Sequence, residues 1–319
     1  MSNNILNISK SDDSLSLEEL NLLLKKKNKS IPTKFLYDDI GSKLFEEISN
    51  TKEYYLTRTE KKILNKYSSS IIYQSGAKEL LELGSGSSKK TKLLILEALK
   101  EKSDLTYVSF DISSKALKMS YNELKDISSN LNIKLVKGDF INDLEKLDNT
   151  SKPRLYLFLG STLGNFNNDT AINFLTSISK KMKKSDFLLL GIDKIKNTEV
   201  IEAAYNDKEG ITEKFNKNIL NVINKEYNLN FNPEKFNHVA EFNEDKNQIE
   251  MYLKSNTKQE IQSQNEKIEI NSGEKILTEI SRKFSDSAII EIFEKSKLKI
   301  VKDFRDEKNY YSLYLLSSL

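Results

Sequence analysis

The sequence predicts an α/β protein, a parallel sheet with helices on both faces, joined to a second unit built on a different pattern. Three observations carry that reading. From Glu79 to Asp193, short apolar runs alternate with stretches of helical spacing. The runs are apolar on successive residues, as in strands covered on both faces rather than one. Between about Lys196 and Gly273 this alternation stops, and strands of polar-apolar alternation take its place.

The elements follow in order. After a polar, low-complexity leader, SLEELNLLLKKK (Ser16 to Lys27) has helical spacing behind a serine able to cap it. IGSKLFEEIS and TRTEKKILNKYSSSII continue the helical start. KELLEL reads as the first buried strand, followed by a helix over about Lys89 to Lys100, the strand LTYVSFDI, a helix over about Lys115 to Ile127, and the strands IKLVKGDF and PRLYLFLG. A helix near Ala171 to Met182 leads to the strand SDFLLLGID. In the second unit, TEVIEAAYND and EGITEKFNKNILNVINKEY are helical, while FNHVAEFNEDKNQIEMYLKS and KIEIN alternate as strands. The C-terminal SDSAIIEIFEKSKLKIVKDFRDEKNYYSLYLLSSL reads as helix, strand, turn and strand, and completes the sheet.

Composition excludes several chemistries. The 319 residues, 38% of them hydrophobic, can bury the core of one large or two smaller domains. Fifty basic residues nearly balance 47 acidic ones, and a formal charge of +3 creates no broad field for nucleic acid or an anionic membrane. A small-molecule partner is expected. The lack of cysteine excludes disulfides, a thiolate nucleophile and cysteine-ligated metal. His238 is the only histidine, which argues against a multi-histidine metal site or a serine–histidine triad; it is expected to pack or hydrogen-bond, and no metal is expected. The first residues lack a basic start followed by an apolar core, and no window approaches the roughly eighteen apolar residues of a membrane helix, so a cytoplasmic location is expected.

The strand ends carry the candidate chemistry. Gly84 and Gly86, two of only 10 glycines, follow the first strand, where an open α/β sheet binds its ligand and a helix start offers free N–H groups. A dinucleotide fingerprint prefers a glycine or alanine where this chain has Lys89. Glu82-x-Gly84-x-Gly86 instead resembles the first motif of S-adenosylmethionine-dependent methyltransferases, with Ser88 where a third glycine is common. Asp111 ends the next strand, where a carboxylate either accepts from ribose hydroxyls or caps the following helix. Asp139 and Phe140, in GDF at the end of the third strand, suit an adenine amino group and ring. Asn165, in LFLGSTLGNF after the fourth, offers a bidentate amide to a substrate or bonds its own loop.

FLYDDIGSKLFEEI, EYYLTRTE, ELGSGSSKKT, FDIS, GDF, FLGSTLGNF, AAYND, FNKNIL, QIEMYL and LTEISRKF occur in the order and approximate spacing of the ergothioneine-pathway L-histidine Nα-methyltransferases, a family this chain resembles over about residues 30 to 319. The resemblance implies a Rossmann-like, class I S-adenosylmethionine-dependent methyltransferase domain (56–196 plus 286–319) and a discontinuous α+β substrate-binding domain (1–55 plus 197–285). By motif match, Gly84, Gly86, Lys90, Asp111, Asp139 and Phe140 would contact the cofactor. Asn165 and Tyr205 would hold the amino-acid backbone, with Tyr37 near the amine. Tyr54, Glu279 and Ser281 would receive the imidazole, and Met251 lies in a matching string. Without the match, Glu279 reads as a solvated charge on a strand or loop. The implied activity is trimethylation of histidine to hercynine by a monomer. An N-methyltransferase of another amino acid or amine, and a non-catalytic cofactor-binding protein, are the alternatives. Tyr252 departs from the family, which often has histidine there.

Overall fold

The computed structural model describes residues 5–9, 15–101, 104–264 and 266–319, so part of the polar leader lies outside the described residues. The chain divides into two compact units. One holds the strand Ile5–Asn7, Leu56–Ile195 and Lys283–Leu319; the other holds residues 15–55 and Lys196–Arg282.

The sheet of the first unit has eight strands among the described residues, in the spatial order Ile5–Asn7, Leu131–Lys137, Leu105–Asp111, Glu79–Leu83, Arg154–Phe158, Phe187–Asp193, Tyr311–Ser318, Leu298–Arg305. The first six are parallel. Tyr311–Ser318 is antiparallel to both of its neighbours. Alternate residues bury on opposite faces, with Leu80, Tyr107, Leu157 and Leu189 on one and Leu81, Phe110, Phe158 and Leu190 on the other. Each is at most 1% exposed. At about 1.5–3 kcal/mol per large apolar side chain, both faces contribute to holding the sheet, and this explains the unbroken apolar runs. Cap residues start the crossover helices close behind the strands; the Ser113 hydroxyl accepts the Ala116 N–H at 3.2 Å and begins helix Ser114–Leu124.

Strand order reverses at Glu79–Leu83, whose successors in the chain lie first on one side of it and then on the other. The crevice beyond the carboxyl ends at such a switch point is where open α/β sheets bind ligands.

Three boundaries differ from the sequence reading. Ile5–Asn7 pairs in parallel with Leu135–Lys137 and so belongs to the first unit, not with residues 15–55. Three residues carry too little periodicity to reveal such a strand. Residues 283–285 also join the first unit: Lys283 pairs with Asp193 at 3.0 Å, both side chains being 0% exposed, and Phe284 bridges Lys194. Lys196 falls in the second unit.

Among the described residues, the second unit has a four-stranded sheet in the order Lys29–Ser30, Lys275–Arg282, Gln248–Ser255, Phe236–Asn243, and a separate hairpin of Gln259–Ser263 with Glu266–Ile270. Its helices include Asp39–Asn50, Thr198–Tyr205 and Ile211–Tyr227. Among the described residues, no helix is long and apolar enough to cross a membrane.

Candidate active site

In the first unit, Gly84 (φ +72°) and Gly86 (φ +51°) turn the chain directly after Glu79–Leu83. A Cβ on Gly86 would meet nothing within 4 Å, and one on Gly84 would touch the Phe140 ring at 3.4 Å. A turn in the left-handed region with open space beside it is what glycine permits and other residues resist. Asp111 serves this loop directly: its Oδ2 accepts the Gly86 N–H at 3.0 Å and its Oδ1 the Ser113 N–H at 2.9 Å. Burial pushes its carboxyl above the usual range, against backbone donors from Ser113, Gly86 and Ile112. Each oxygen keeps lone-pair capacity for a further donor, so the loop-fastening and ribose-binding roles are compatible. Asp139 accepts from the Ile141 N–H and the Asn142 amide, both at 2.9 Å, and Phe140 packs on Phe158 and Phe174 with ring centroids 5.4 and 5.7 Å away.

Ser88 replaces the usual third glycine in a left-handed conformation, φ +56°. Its buried hydroxyl lies 2.6 Å from the Tyr107 oxygen and 2.7 Å from Ser120 Oγ. Tyr107 bonds to Glu82, which also takes the Thr91 hydroxyl at 2.5 Å. Buried hydroxyls therefore anchor this serine-rich loop.

Burial pushes the Glu82 carboxyl up to about 7, with Thr91, Tyr107 and the nearby Lys90 opposing the rise. A carboxyl raised from its ordinary 4.5 contributes stability that is full below about pH 4.5 and is lost as pH rises through 7. The total is on the order of 3 kcal/mol. Thermal unfolding of the wild type and of Glu82→Gln between pH 4 and 8 should show the variant gaining relative stability as pH rises. A constant difference between the two would remove Glu82 as the titrating group.

Gly160 (φ +75°) and Ser161 (φ +59°) open the turn Thr162–Asn165, which ends in half-buried Asn165. The Ser161 hydroxyl accepts the Asp193 N–H at 2.9 Å and anchors the turn to a neighbouring strand. Lys90, at the helix end of the glycine loop, pairs with Glu60. A close-approach glycine turn, a strand-end carboxylate, an aromatic ring beside the turn and an ammonium fit the groups of S-adenosylmethionine.

The second unit gathers Tyr54, Tyr205, Met251 and Glu279 around a cavity that takes in about 260 Å³ of space between atoms, bordering solvent included. Phe45, Ile48, Ala204, Thr212 and Phe215 complete the lining. Tyr37 joins the aromatic wall through edge contacts with Phe45 (5.8 Å) and Phe215 (5.6 Å), and Tyr54 meets Tyr205 at 6.2 Å. The Tyr37 hydroxyl hydrogen-bonds to Glu279; burial and that carboxylate hold the phenol well above its ordinary range. The Tyr205 hydroxyl donates to Ser281 Oγ at 2.7 Å. Expected substrate residues from five separate sequence strings thus fall in one buried cluster.

An irregularity in the Lys275–Arg282 strand aims Glu279. Pairing with Gln248–Ser255 shifts between Leu277 and Glu279, so that Glu279 comes opposite Met251. A bulge of this kind re-aims the side chains that follow it. The Thr278 hydroxyl pins it, bonding Asn216 Oδ1 at 2.6 Å and the Met251 carbonyl at 3.0 Å. The Asn216 amide donates to His238 Nδ1, and His238 Nε2–H donates to the Tyr205 carbonyl, both at 2.9 Å. These bonds fix the neutral tautomer, and burial lowers the pKa of His238. The lone histidine is a hydrogen-bonding support behind Tyr205. Tyr252 is not part of the cavity lining: its hydroxyl donates to Glu250 at 2.6 Å, so its departure from the family leaves the lining intact.

Sequence reasoning missed Phe45, Phe215, Asn216, Thr278 and Glu60. All five lie in strings of the resemblance, FLYDDIGSKLFEEI, FNKNIL (Phe215 and Asn216), LTEISRKF and EYYLTRTE, but an apolar ring, a helix amide or a helix glutamate carries no mark of a site before the fold is known.

The doubly wound sheet, its antiparallel final strand and the glycine loop with an acidic strand end define a class I S-adenosylmethionine-dependent methyltransferase. Residues 17–318 match the family described as histidine-specific methyltransferase, SAM-dependent, and the chain belongs to it. It is 36% identical over 295 residues to the histidine N-alpha-methyltransferase of Mycobacterium tuberculosis (strain CDC 1551 / Oshkosh), covering 92% of this chain and 91% of that one. Identity to the protein of the same name from Mycolicibacterium smegmatis is 38% over 265 residues, 82% of either chain. Ergothioneine biosynthesis protein 1 of Schizosaccharomyces pombe is 32% identical over 298 residues, 90% of this chain and 39% of that one.

Proposed function

We propose that this protein transfers methyl groups from S-adenosylmethionine to the α-amino group of L-histidine, three in succession, giving hercynine as the first step of ergothioneine biosynthesis. The observation that carries the reading is Glu279 in a pocket lined also by Tyr54 and Tyr205, with Ser281 buried two residues along the same strand against the Tyr205 hydroxyl and Tyr37 hydrogen-bonded to Glu279. A carboxylate and a hydroxyl together can serve both imidazole nitrogens, and buried polar groups left unpaired by another side chain discriminate strongly against it.

The cofactor supplies a methyl group on an already activated sulfonium, so no covalent nucleophile is needed. The chain's residues have to align a neutral amine and exclude water. In this reading Gly84, Gly86, Lys90, Asp111, Asp139 and Phe140 bind the cofactor. Asn165 and Tyr205 hold the amino-acid backbone with Tyr37 near the amine, and Tyr54 and Met251 flank the imidazole. The family membership and the relatives' names support the acceptor. A cytoplasmic, monomeric enzyme completes the proposal.

Purified protein incubated with S-adenosylmethionine and each common amino acid separately tests this by mass spectrometry. Trimethylated product from histidine alone is expected. Methylation of a different amino acid instead would keep the enzyme class and remove Glu279 and Ser281 from imidazole recognition, and absence of any product would favour a non-catalytic cofactor-binding protein.

A further inference from the structure

Glu60 lies on helix Tyr55–Ser75 and is 0% exposed. A carboxylate buried this completely is tolerable only when donors surround it. The Gly160 N–H reaches both oxygens, at 2.8 and 3.1 Å, and the Tyr311 hydroxyl donates to Oε1 at 2.8 Å. The Lys90 ammonium pairs with Oε2. Space for the cluster is made by Gly191, where a Cβ would stand 2.4 Å from both Glu60 Oε1 and the Tyr311 oxygen.

The partners join two functional loops. Lys90 belongs to the loop between the glycine turn and helix Lys92–Ala98, and Gly160 opens the turn that ends in Asn165. An ammonium has three N–H donors. Glu60 takes one and orients the rest, while the Lys90 side chain keeps 22% exposure at the loop edge. The second contact fixes the backbone of a residue in the left-handed region, five residues before Asn165.

We propose that Glu60 is a positioning residue for methyl transfer, holding Lys90 toward the carboxylate of the cofactor's amino-acid end and, through the Gly160 N–H, setting the turn that presents Asn165. This rests on the roles proposed above for Lys90 and Asn165. One buried carboxylate then fixes the cofactor loop and the substrate-binding turn relative to each other. An amide cannot fully replace it: a glutamine keeps one acceptor oxygen, so its NH₂ faces either the Lys90 ammonium in place of Oε2 or the Gly160 N–H in place of Oε1, and that donor loses its acceptor.

The test is calorimetric titration with S-adenosylhomocysteine of the wild type, Glu60→Gln, Lys90→Met and the double variant, together with the KM for histidine of each. Lys90→Met and Glu60→Gln should each weaken binding about tenfold, and the double variant should be no weaker than the worse single one, because both remove one interaction. Only the variants carrying Glu60→Gln should raise the histidine KM, by about fivefold. Multiplying effects on cofactor affinity, or Glu60→Gln within twofold of wild type in both quantities while Lys90→Met weakens binding, would overturn the proposal. An unchanged affinity in Lys90→Met would instead overturn the cofactor role of Lys90 itself, a failure of the functional reading that this single variant reads separately. If Glu60→Gln does not fold, Tyr311→Phe takes away one donor without touching either loop; a roughly threefold rise in both quantities supports the proposal and wild-type values overturn it.

Discussion

Glu279→Ala should raise the KM for histidine about 100-fold while leaving the affinity for S-adenosylhomocysteine within twofold of wild type. Glu279 is buried, faces the aromatic pocket and is held opposite Met251 by the shift in strand pairing at Thr278. A hydrogen bond to a charged group contributes about 1.5–3 kcal/mol, and more is lost when its removal leaves a buried donor on the ligand unmet. At about 1.4 kcal/mol per decade that is one to two orders of magnitude. Glu279→Gln keeps the shape and one acceptor, and should cost about tenfold. Steady-state kinetics beside calorimetry separate the two affinities. Equal losses toward histidine and cofactor would take Glu279 out of the imidazole site.

Gly41→Ala should destabilise the second unit by about 4 kcal/mol or more, at the upper end of single-substitution effects. A Cβ there would lie 1.7 Å from the Leu36 carbonyl oxygen and 2.9 Å from its carbon. Both are backbone atoms, so no rotamer change relieves the clash. Relief requires moving the turn Thr33–Leu36, which leads directly into Tyr37, or the start of helix Asp39–Asn50, where the Gly41 N–H is capped by Asp38 Oδ1 at 2.7 Å. Variant protein that does fold should show a raised KM for histidine through displaced Tyr37. Chemical denaturation provides the stability measurement, and a loss below 1 kcal/mol would show that the turn yields easily and that the glycine is not needed for close approach.

The glycine of FLYDDIGSKLF shows how far a sequence can be read. The string was visible as part of a resemblance, yet nothing in it tells that its glycine admits a carbonyl oxygen. The parallel strands were legible because their apolar runs report burial on two faces, a local signal. The strand Ile5–Asn7 was not, because a three-residue strand exists only through its partner. Glu279 was open to a solvated reading until the fold placed it in a pocket, and Glu60 carried no mark at all. His238 fitted the expectation of a hydrogen-bonding residue, while its partners Asn216 and Tyr205, 22 and 33 residues away, could only come from the fold.

By itself the sequence determined the alternating α/β core, the place of the cofactor loop, the absence of thiol chemistry and, through its ordered strings, the family. Those features depend on residue type and on periodicity along the chain, which are local. The tertiary structure alone decided that Glu279 lies opposite Met251, that His238 supports Tyr205 and that Glu60 ties Lys90 to the Asn165 turn. Each of those depends on register, burial and approach between segments far apart in the chain, and a buried donor or carboxylate takes its meaning from whichever partners folding brings to it.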